Sequence, residues 1–270
     1  MEYKMIVSDL DGTLLNSENK ISLENKETLK KLIKGGKKFV IATGRHHIDA
    51  QFFAKELEND FYLITNNGAK ILYKSKEVFK SIIPRNLLQK LLELNIDTKV
   101  SKNLFTENGW YSDKEIEIFN THNTNSHFPL KITNLENYKE EEVLKFFFLS
   151  TVPEKIKKVE KLLSLDLELK QGLNFSTSDK FCLEVTAKNV NKGQGIKRIS
   201  ELEMINLNEV IAFGDGLNDK EMLEIVGNGI IMENGNPILK EQLSTKKITK
   251  SCDENGVAYY LKKIFKEYFK

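Results

Sequence analysis

The segment Met5-Ile6-Val7-Ser8-Asp9-Leu10-Asp11-Gly12-Thr13-Leu14 constrains this chain more than any other. Ile6 and Val7 read as a short apolar strand, and two carboxylates, Asp9 and Asp11, follow at its carboxyl end. Gly12 permits a sharp turn there, and Thr13 adds a hydroxyl. In an open α/β sheet, ligands bind just beyond the carboxyl ends of strands. Two acids so close repel one another by ~4 kcal/mol at 4 Å and an effective dielectric of ~20. A divalent cation with an acidic substrate offsets that cost. Taken alone, the segment also fits a β-turn whose aspartates accept from backbone N–H groups.

The same pattern returns along the chain. Ser22 is placed to N-cap a helix with the apolar stripe Leu29, Leu32 and Ile33, stopped by Gly35-Gly36. Phe39 to Ala42 is a second buried strand, ending in Thr43-Gly44-Arg45. A helix over 47–57 leads to a third strand, Phe61 to Ile64, which ends at Thr65-Asn66-Asn67-Gly68. Strand–helix–strand–helix–strand is the pattern of a parallel sheet with crossover helices. Ala69 to Tyr73 and Glu77 to Ile82 read as a hairpin.

After Pro84 the pattern changes. A helix over 87–94 precedes short segments at 97–100, 104–107 and 110–111, the last two flanking the hairpin signal Asn108-Gly109. A helix at 114–120, a polar stretch over 121–142, strands at 144–150 and 165–170, and a helix at 153–163 follow. Strands at 174–177 and 181–185 close the series. Residues 84–187 read as a separate α+β module inserted into a core of residues 1–83 and 188–270. From Asn191 the first pattern resumes. Lys192 opens a helix, and the buried strand Val210 to Phe213 ends in Gly214-Asp215-Gly216-Leu217-Asn218-Asp219. Helices at 221–226, after Pro237 and over 257–269 surround a strand at 229–232.

The turns after Val7, Ala42 and Phe213 each hang from the carboxyl end of an apolar strand, which brings them to one edge of a parallel sheet. Asp9, Asp11 and Asp215 supply oxygen ligands for a hard cation, too few for calcium and suited to magnesium with waters and a phosphate oxygen. Thr43 with the N–H groups that follow it, and Lys192 near a helix N-terminus, are placed to hold an anion. An ionised aspartate so placed can attack phosphorus, and a second acid can protonate the departing oxygen.

Asp9-Leu-Asp11-Gly-Thr13, Ala42-Thr43-Gly44-Arg45, Lys192-Gly193 and Gly214-Asp215-Gly-Leu-Asn218-Asp219 occur in this order. With these four segments the chain resembles the haloacid dehalogenase superfamily of phosphohydrolases, Cof-type subgroup, over its whole length. The resemblance implies a doubly wound, Rossmann-like core with an inserted α/β cap. It implies Asp9 as nucleophile, Asp11 as general acid/base, and Asp9, the backbone carbonyl of Asp11 and Asp215 as magnesium ligands. Thr43, Gly44, Lys192 and Asn218 match phosphate-binding positions, with Asp219 bracing Lys192 or a metal-bound water. The implied substrate is a small phosphorylated metabolite such as a sugar phosphate, flavin mononucleotide or pyridoxal phosphate. A phosphomutase-type transferase and a non-catalytic phospho-ligand-binding protein stay open as alternatives.

Composition narrows the partners. A net charge of +2 gives no field for nucleic acid or anionic membrane, and no apolar run nears the ~18 residues of a membrane span. The first residues lack the charged and apolar regions of a signal peptide, and Cys182 and Cys252 have no metal-type spacing. The expectation is a cytoplasmic protein with reduced thiols, monomeric or a weak homodimer. Arg45 either contacts substrate or pairs with a loop carboxylate. His46 and His47 either face the site or, the favoured reading, stand at a solvated helix start, and His122 and His127 carry no metal-site pattern. Trp110 is expected to pack in its hairpin. Gly193-Gln194-Gly195 is no dinucleotide fingerprint, and Lys262, Lys263 and Lys266 form a solvated helix face.

Overall fold

The computed structural model describes residues 2–57, 60–115, 128, 130–136, 138–139 and 141–270. The chain forms two compact units, Met1–Val78 with Asn191–Lys270, and Phe79–Val190. His122, His127 and the body of the helix expected over 114–120 lie outside the described residues.

In chain order the first unit begins with β1 (Met5–Ser8), α1 (Leu23–Lys34), β2 (Lys38–Ala42), α2 (His47–Ala54), β3 (Tyr62–Thr65), β4 (Lys70–Tyr73) and β5 (Lys76–Lys80). The second unit holds α3 (Arg85–Glu93), β6 (Ser101–Thr106), β7 (Trp110–Ser112), β8 (Leu130–Ile132), β9 (Val143–Leu149), α4 (Pro153–Leu165), α5 (Leu167–Gly172), β10 (Leu173–Asp179) and β11 (Cys182–Ala187). The first unit resumes with α6 (Lys192–Leu202), β12 (Val210–Gly214), α7 (Lys220–Ile225), β13 (Asn228–Ile231), α8 (Pro237–Gln242), β14 (Lys247–Ile248) and α9 (Gly256–Ile264).

The first unit is an eight-stranded sheet in the order β14-β13-β12-β1-β2-β3-β4-β5. It is parallel from β14 to β3, and β4 then turns back antiparallel to β3. Alternation along the strands feeds two buried faces. Ile6, Phe39, Ile41, Ile211 and Phe213 pack with Leu29 and Leu32 of α1, Phe53 of α2 and Leu261 of α9. The helices α6 and α7 pack with one another and against β3, β12 and β13. The doubly wound architecture expected from the strand–helix alternation is the one found. Ser22 does cap α1, its side chain accepting from Asn25 N.

Strand order reverses between β1 and β12: β2 and β3 lie to one side of β1, and β13 and β14 beyond β12. Their register places Ser8 opposite Phe213 and opposite Ile41. The turns that follow β1, β12 and β2 therefore start side by side at the point where such sheets bind ligands.

The second unit is a six-stranded sheet, β10-β11-β9-β6-β7-β8. One of its clusters joins Leu104, Phe146, Phe148, Leu183 and Val185 to Leu88 and Leu91 of α3 and Ile156 and Leu163 of α4. Several local readings need correction here. Residues 97–100 form a turn rather than a strand, because the Asp97 carboxylate accepts from Lys99 N and Val100 N returns to Asp97 O. The segment over 165–170 is helical where alternation of Leu165, Leu167 and Leu169 predicts a strand. Asp166 caps it by accepting from Glu168 N and Leu169 N, and only Leu169 of the three leucines is buried. β8 and β14 are additional strands, too short to stand out by pattern. The hairpin at Asn108-Gly109 forms, but without left-handed backbone at either residue; the Thr106 hydroxyl accepts from Asn108 N and Gly109 N instead. Trp110 packs within that hairpin, its Nε1 donating to Asn103 Oδ1 at 3.1 Å.

Candidate active site

The turns at the reversal point bring four of the expected residues into contact. Lys192, at the first position of α6, is 1% exposed, and its ammonium donates to Asp9 Oδ1 at 2.6 Å and Asp219 Oδ1 at 2.7 Å. The other Asp219 oxygen accepts from Asp215 N and Gly216 N, both at 2.9 Å. Asp219 thus locks the turn after β12 and braces the lysine at once. Thr13 Oγ1 donates to Asp215 Oδ1 at 2.7 Å, tying the turn after β1 to the turn after β12. Gly12 is required at this crossing. Its φ is +70°, and a Cβ there would stand 2.6 Å from Asp215 Oδ2.

Carboxylate oxygens of Asp9, Asp215 and Asp219 lie within 4.8 Å of one another. One ammonium does not neutralise three such groups. Burial pushes the Asp9 carboxyl well above the usual range, with Asp219 adding to the effect and Lys192 opposing it. Burial, again reinforced by Asp219, raises Asp215 to about 7. Burial disfavours the Lys192 charge, but the two carboxylates outweigh it and its pKa rises. The chemistry of this donor set fits a hard divalent cation. Asp219 has both oxygens engaged, whereas Asp9 and Asp215 each commit one oxygen to the bonds above.

A stability prediction follows from Asp215. In the folded, metal-free protein it holds its proton up to about pH 7, while the unfolded chain releases it near 3.8. The folded state therefore binds more protons between these values, and stability falls as pH rises through that window, by at most about 4 kcal/mol. The melting temperature with chelator present should drop from pH 5 to pH 8. Asp215→Asn should reduce that slope, the raised Asp9 carboxyl contributing the remainder in the same direction. A slope of wild-type size in the variant would show that another group governs it.

Asp11 and Arg45 pair with one another. Arg45 donates from Nε to Asp11 Oδ2 at 2.7 Å and from Nη2 to Oδ1 at 2.5 Å, and its guanidinium lies over the Phe53 ring at 4.7 Å. Of the two readings of Arg45, the structure shows pairing with a loop carboxylate, and that carboxylate is Asp11. The Asp11 side chain is 48% exposed, unlike Asp9 at 5%. Thr43 is buried beyond β2, its Oγ1 accepting from Arg45 N, with Gly44 between them. Asn218 Nδ2 donates to Asn67 Oδ1 at 3.1 Å.

The histidine expectation is corrected. His46 is fully buried, and its Nδ1 accepts from Ile48 N as the cap of α2, with its ring 4.1 Å from that of His47. A cap whose acceptor is an imidazole leaves no Ser or Asp signal in the sequence. Asn67 and Asn234 are site neighbours that residue patterns left out. Asn234 Nδ2 donates to Gly12 O, and its Oδ1 accepts from Cys252 N. Asn67 had a signal, since Thr65-Asn66-Asn67-Gly68 is a further polar turn at the carboxyl end of a parallel strand. Neither Cys182 nor Cys252 forms a disulfide, and both are buried. Lys262 pairs with Glu24 on the exposed face of α9. Among the described residues no helix is long and apolar enough to cross a membrane.

Comparison with known proteins agrees with this geometry. The profile of a family described as haloacid dehalogenase-like hydrolase matches residues 6–261. A relative from Buchnera aphidicola subsp. Baizongia pistaciae is 35% identical over 97% of this chain and 98% of its own length. An HMP-PP phosphatase of Yersinia pseudotuberculosis serotype O:1b is 32% identical, covering 96% of this chain and 94% of its own. A haloacid dehalogenase-like hydrolase from B. subtilis superposes with a TM-score of 0.84 at 26% identity, over 96% of this chain and 99% of that one. The chain belongs to the haloacid dehalogenase-like hydrolases and, within them, to the Cof-type phosphohydrolases.

Proposed function

We propose that this protein is a magnesium-dependent phosphatase that hydrolyses a small phosphorylated metabolite through an aspartyl-phosphate on Asp9. The observation that carries this reading is the buried Asp9 carboxylate, bonded to Lys192 and within 4.8 Å of Asp215. The second oxygens of Asp9 and Asp215, with the backbone carbonyl of Asp11, would hold the cation. Magnesium bound there would supply positive charge to the transferring phosphoryl group. Lys192 would add its own charge, and Thr43, Gly44 and Asn218 would orient the phosphate oxygens.

The Asp9 carboxylate attacks phosphorus, and the ester oxygen departs with the proton of Asp11. Asp11, now ionised, takes a proton from water, whose oxygen attacks the phosphorus of the aspartyl-phosphate. That step releases inorganic phosphate and restores Asp9. Arg45 donates to both oxygens of Asp11 in the resting site, so one of these bonds must be released for Asp11 to carry and deliver its proton. The 32% identity to a relative named HMP-PP phosphatase supports a small organic phosphate as substrate. Sugar phosphates, flavin mononucleotide and pyridoxal phosphate belong in the same panel, and a cytoplasmic location accords with such metabolites.

The test is phosphate release from that panel and from a chromogenic phosphate ester, with magnesium and with chelator. Release that needs magnesium and is accompanied by free alcohol is the expected result. Transfer of the phosphoryl group to a second hydroxyl would identify a mutase instead. No turnover of any ester would overturn the reading.

A further inference from the structure

We propose that the Asn67-Gly68 turn is the positioning element of the phosphate-holding site, fixing Thr43, Asn218 and Lys192 relative to one another. The inference deepens the phosphatase reading and rests on it. The three residues come from separate parts of the chain: the turn after β2, the turn after β12 and the start of α6. Asp219, beside Asn218, already ties Lys192 to the turn after β12, and a further element joins Thr43 to that pair.

The turn after β3 touches Thr43 and Asn218 directly and reaches Lys192 through the residue before it. Asn67 N donates to Thr43 O at 3.1 Å, and Asn67 Oδ1 accepts from Asn218 Nδ2 at 3.1 Å. Gly68 lies against Asn191, the residue immediately before Lys192. A Cβ on Gly68 would stand 2.4 Å from the Asn191 carbonyl oxygen. Asn191 in turn caps α6 by accepting from Gln194 N at 2.8 Å, so the approach of Gly68 sets where the helix and its lysine begin. The lysine has little freedom of its own, being clamped between Asp9 and Asp219.

The backbone here is costly. Asn66, Asn67 and Gly68 all have positive φ, at 50°, 54° and 101°. Asparagine visits this region most readily when its side chain bonds its own turn. Asn66 makes no such bond: its amide is fully buried with neither Nδ2 nor Oδ1 hydrogen-bonded among the described residues. Local capping therefore does not explain the conformation. The contacts of Asn67 to Thr43 and Asn218, and of Gly68 to the residue before Lys192, do, and strain concentrated at a site is characteristic of pre-organisation.

Asn67→Gly isolates the side chain, because glycine keeps the left-handed backbone while the amide is lost. Binding of radiolabelled inorganic phosphate is measured by equilibrium dialysis, and KM and kcat with an ester from the panel, for wild type, Asn67→Gly, Asn218→Ala and the double variant. Melting curves check that each is folded. Asn67→Gly should weaken phosphate binding and raise KM by about tenfold, with kcat changed much less, as expected for losing the partner that orients a phosphate donor. The double variant should be no worse than Asn218→Ala, since Asn67 acts through that residue. Wild-type affinity in Asn67→Gly, or losses that multiply in the double variant, would overturn the positioning role. Failure of the phosphatase reading is distinct: it appears in the wild type itself, as neither phosphate binding nor turnover.

Discussion

Asp9→Asn is expected to lower kcat by about ten-thousand-fold or more, the scale on which removing a nucleophile abolishes covalent catalysis. The substitution is nearly isosteric, and the asparagine oxygen can still accept from Lys192, which holds Asp9 at 2.6 Å in the wild type. It also removes one of three carboxylates crowded within 4.8 Å. Burial already raises the Asp9 pKa, with Asp219 adding to it, so the metal-free variant should melt no lower than wild type. Loss of activity then cannot be assigned to unfolding. Acid-quenched wild type incubated with a labelled ester should carry covalent phosphate, and the variant none. A variant that keeps a tenth of wild-type kcat would show that Asp9 is not the attacking group.

Much of this site was legible because its residues obey a rule of sheet geometry. Short apolar runs at 5–7, 39–42 and 210–213 read as buried strands, and parallel strands deliver their carboxyl-end turns to one edge. The pairing of Ser8 with both Phe213 and Ile41 is the physical form of that rule. Contacts among side chains were harder to read. The choice of Asp11 as the partner of Arg45 depends on the path of the Leu10–Leu14 turn, where Gly12 has positive φ. The bond between Asn67 and Asn218 joins residues 151 positions apart and leaves no periodicity behind it. In the second unit, Asp166 turned an alternating leucine pattern into a helix, because one side-chain cap outweighs a weak period-two signal over so short a stretch. His46 stands at a helix start, as its position in the sequence suggests, but is buried rather than solvated, because its imidazole caps the helix beside a second ring.

Lys192→Met should cost about 3–5 kcal/mol of stability, the loss seen when one partner is removed from a buried charge cluster. Methionine matches the length of much of the lysine stem, so packing around the first turn of α6 is largely kept. The missing ammonium, however, leaves Asp9 and Asp219 buried at 5% and 0% exposure without their cation. For a unit of this size the melting temperature should fall by roughly 10 °C. The deficit should shrink as pH is lowered, because uncompensated buried carboxyls then take up protons. Catalysis should fall by a further factor of about a hundred to a thousand, from loss of charge beside the phosphoryl group. Adding Asp219→Asn separates charge from packing. In that double variant the asparagine oxygen can still accept from Asp215 N and Gly216 N, while its amide nitrogen faces the place where Lys192 stood. One of two stranded charges is gone, so part of the lost stability should return, without activity. If the double variant melts no higher than Lys192→Met, the lysine holds the core by packing rather than by its charge.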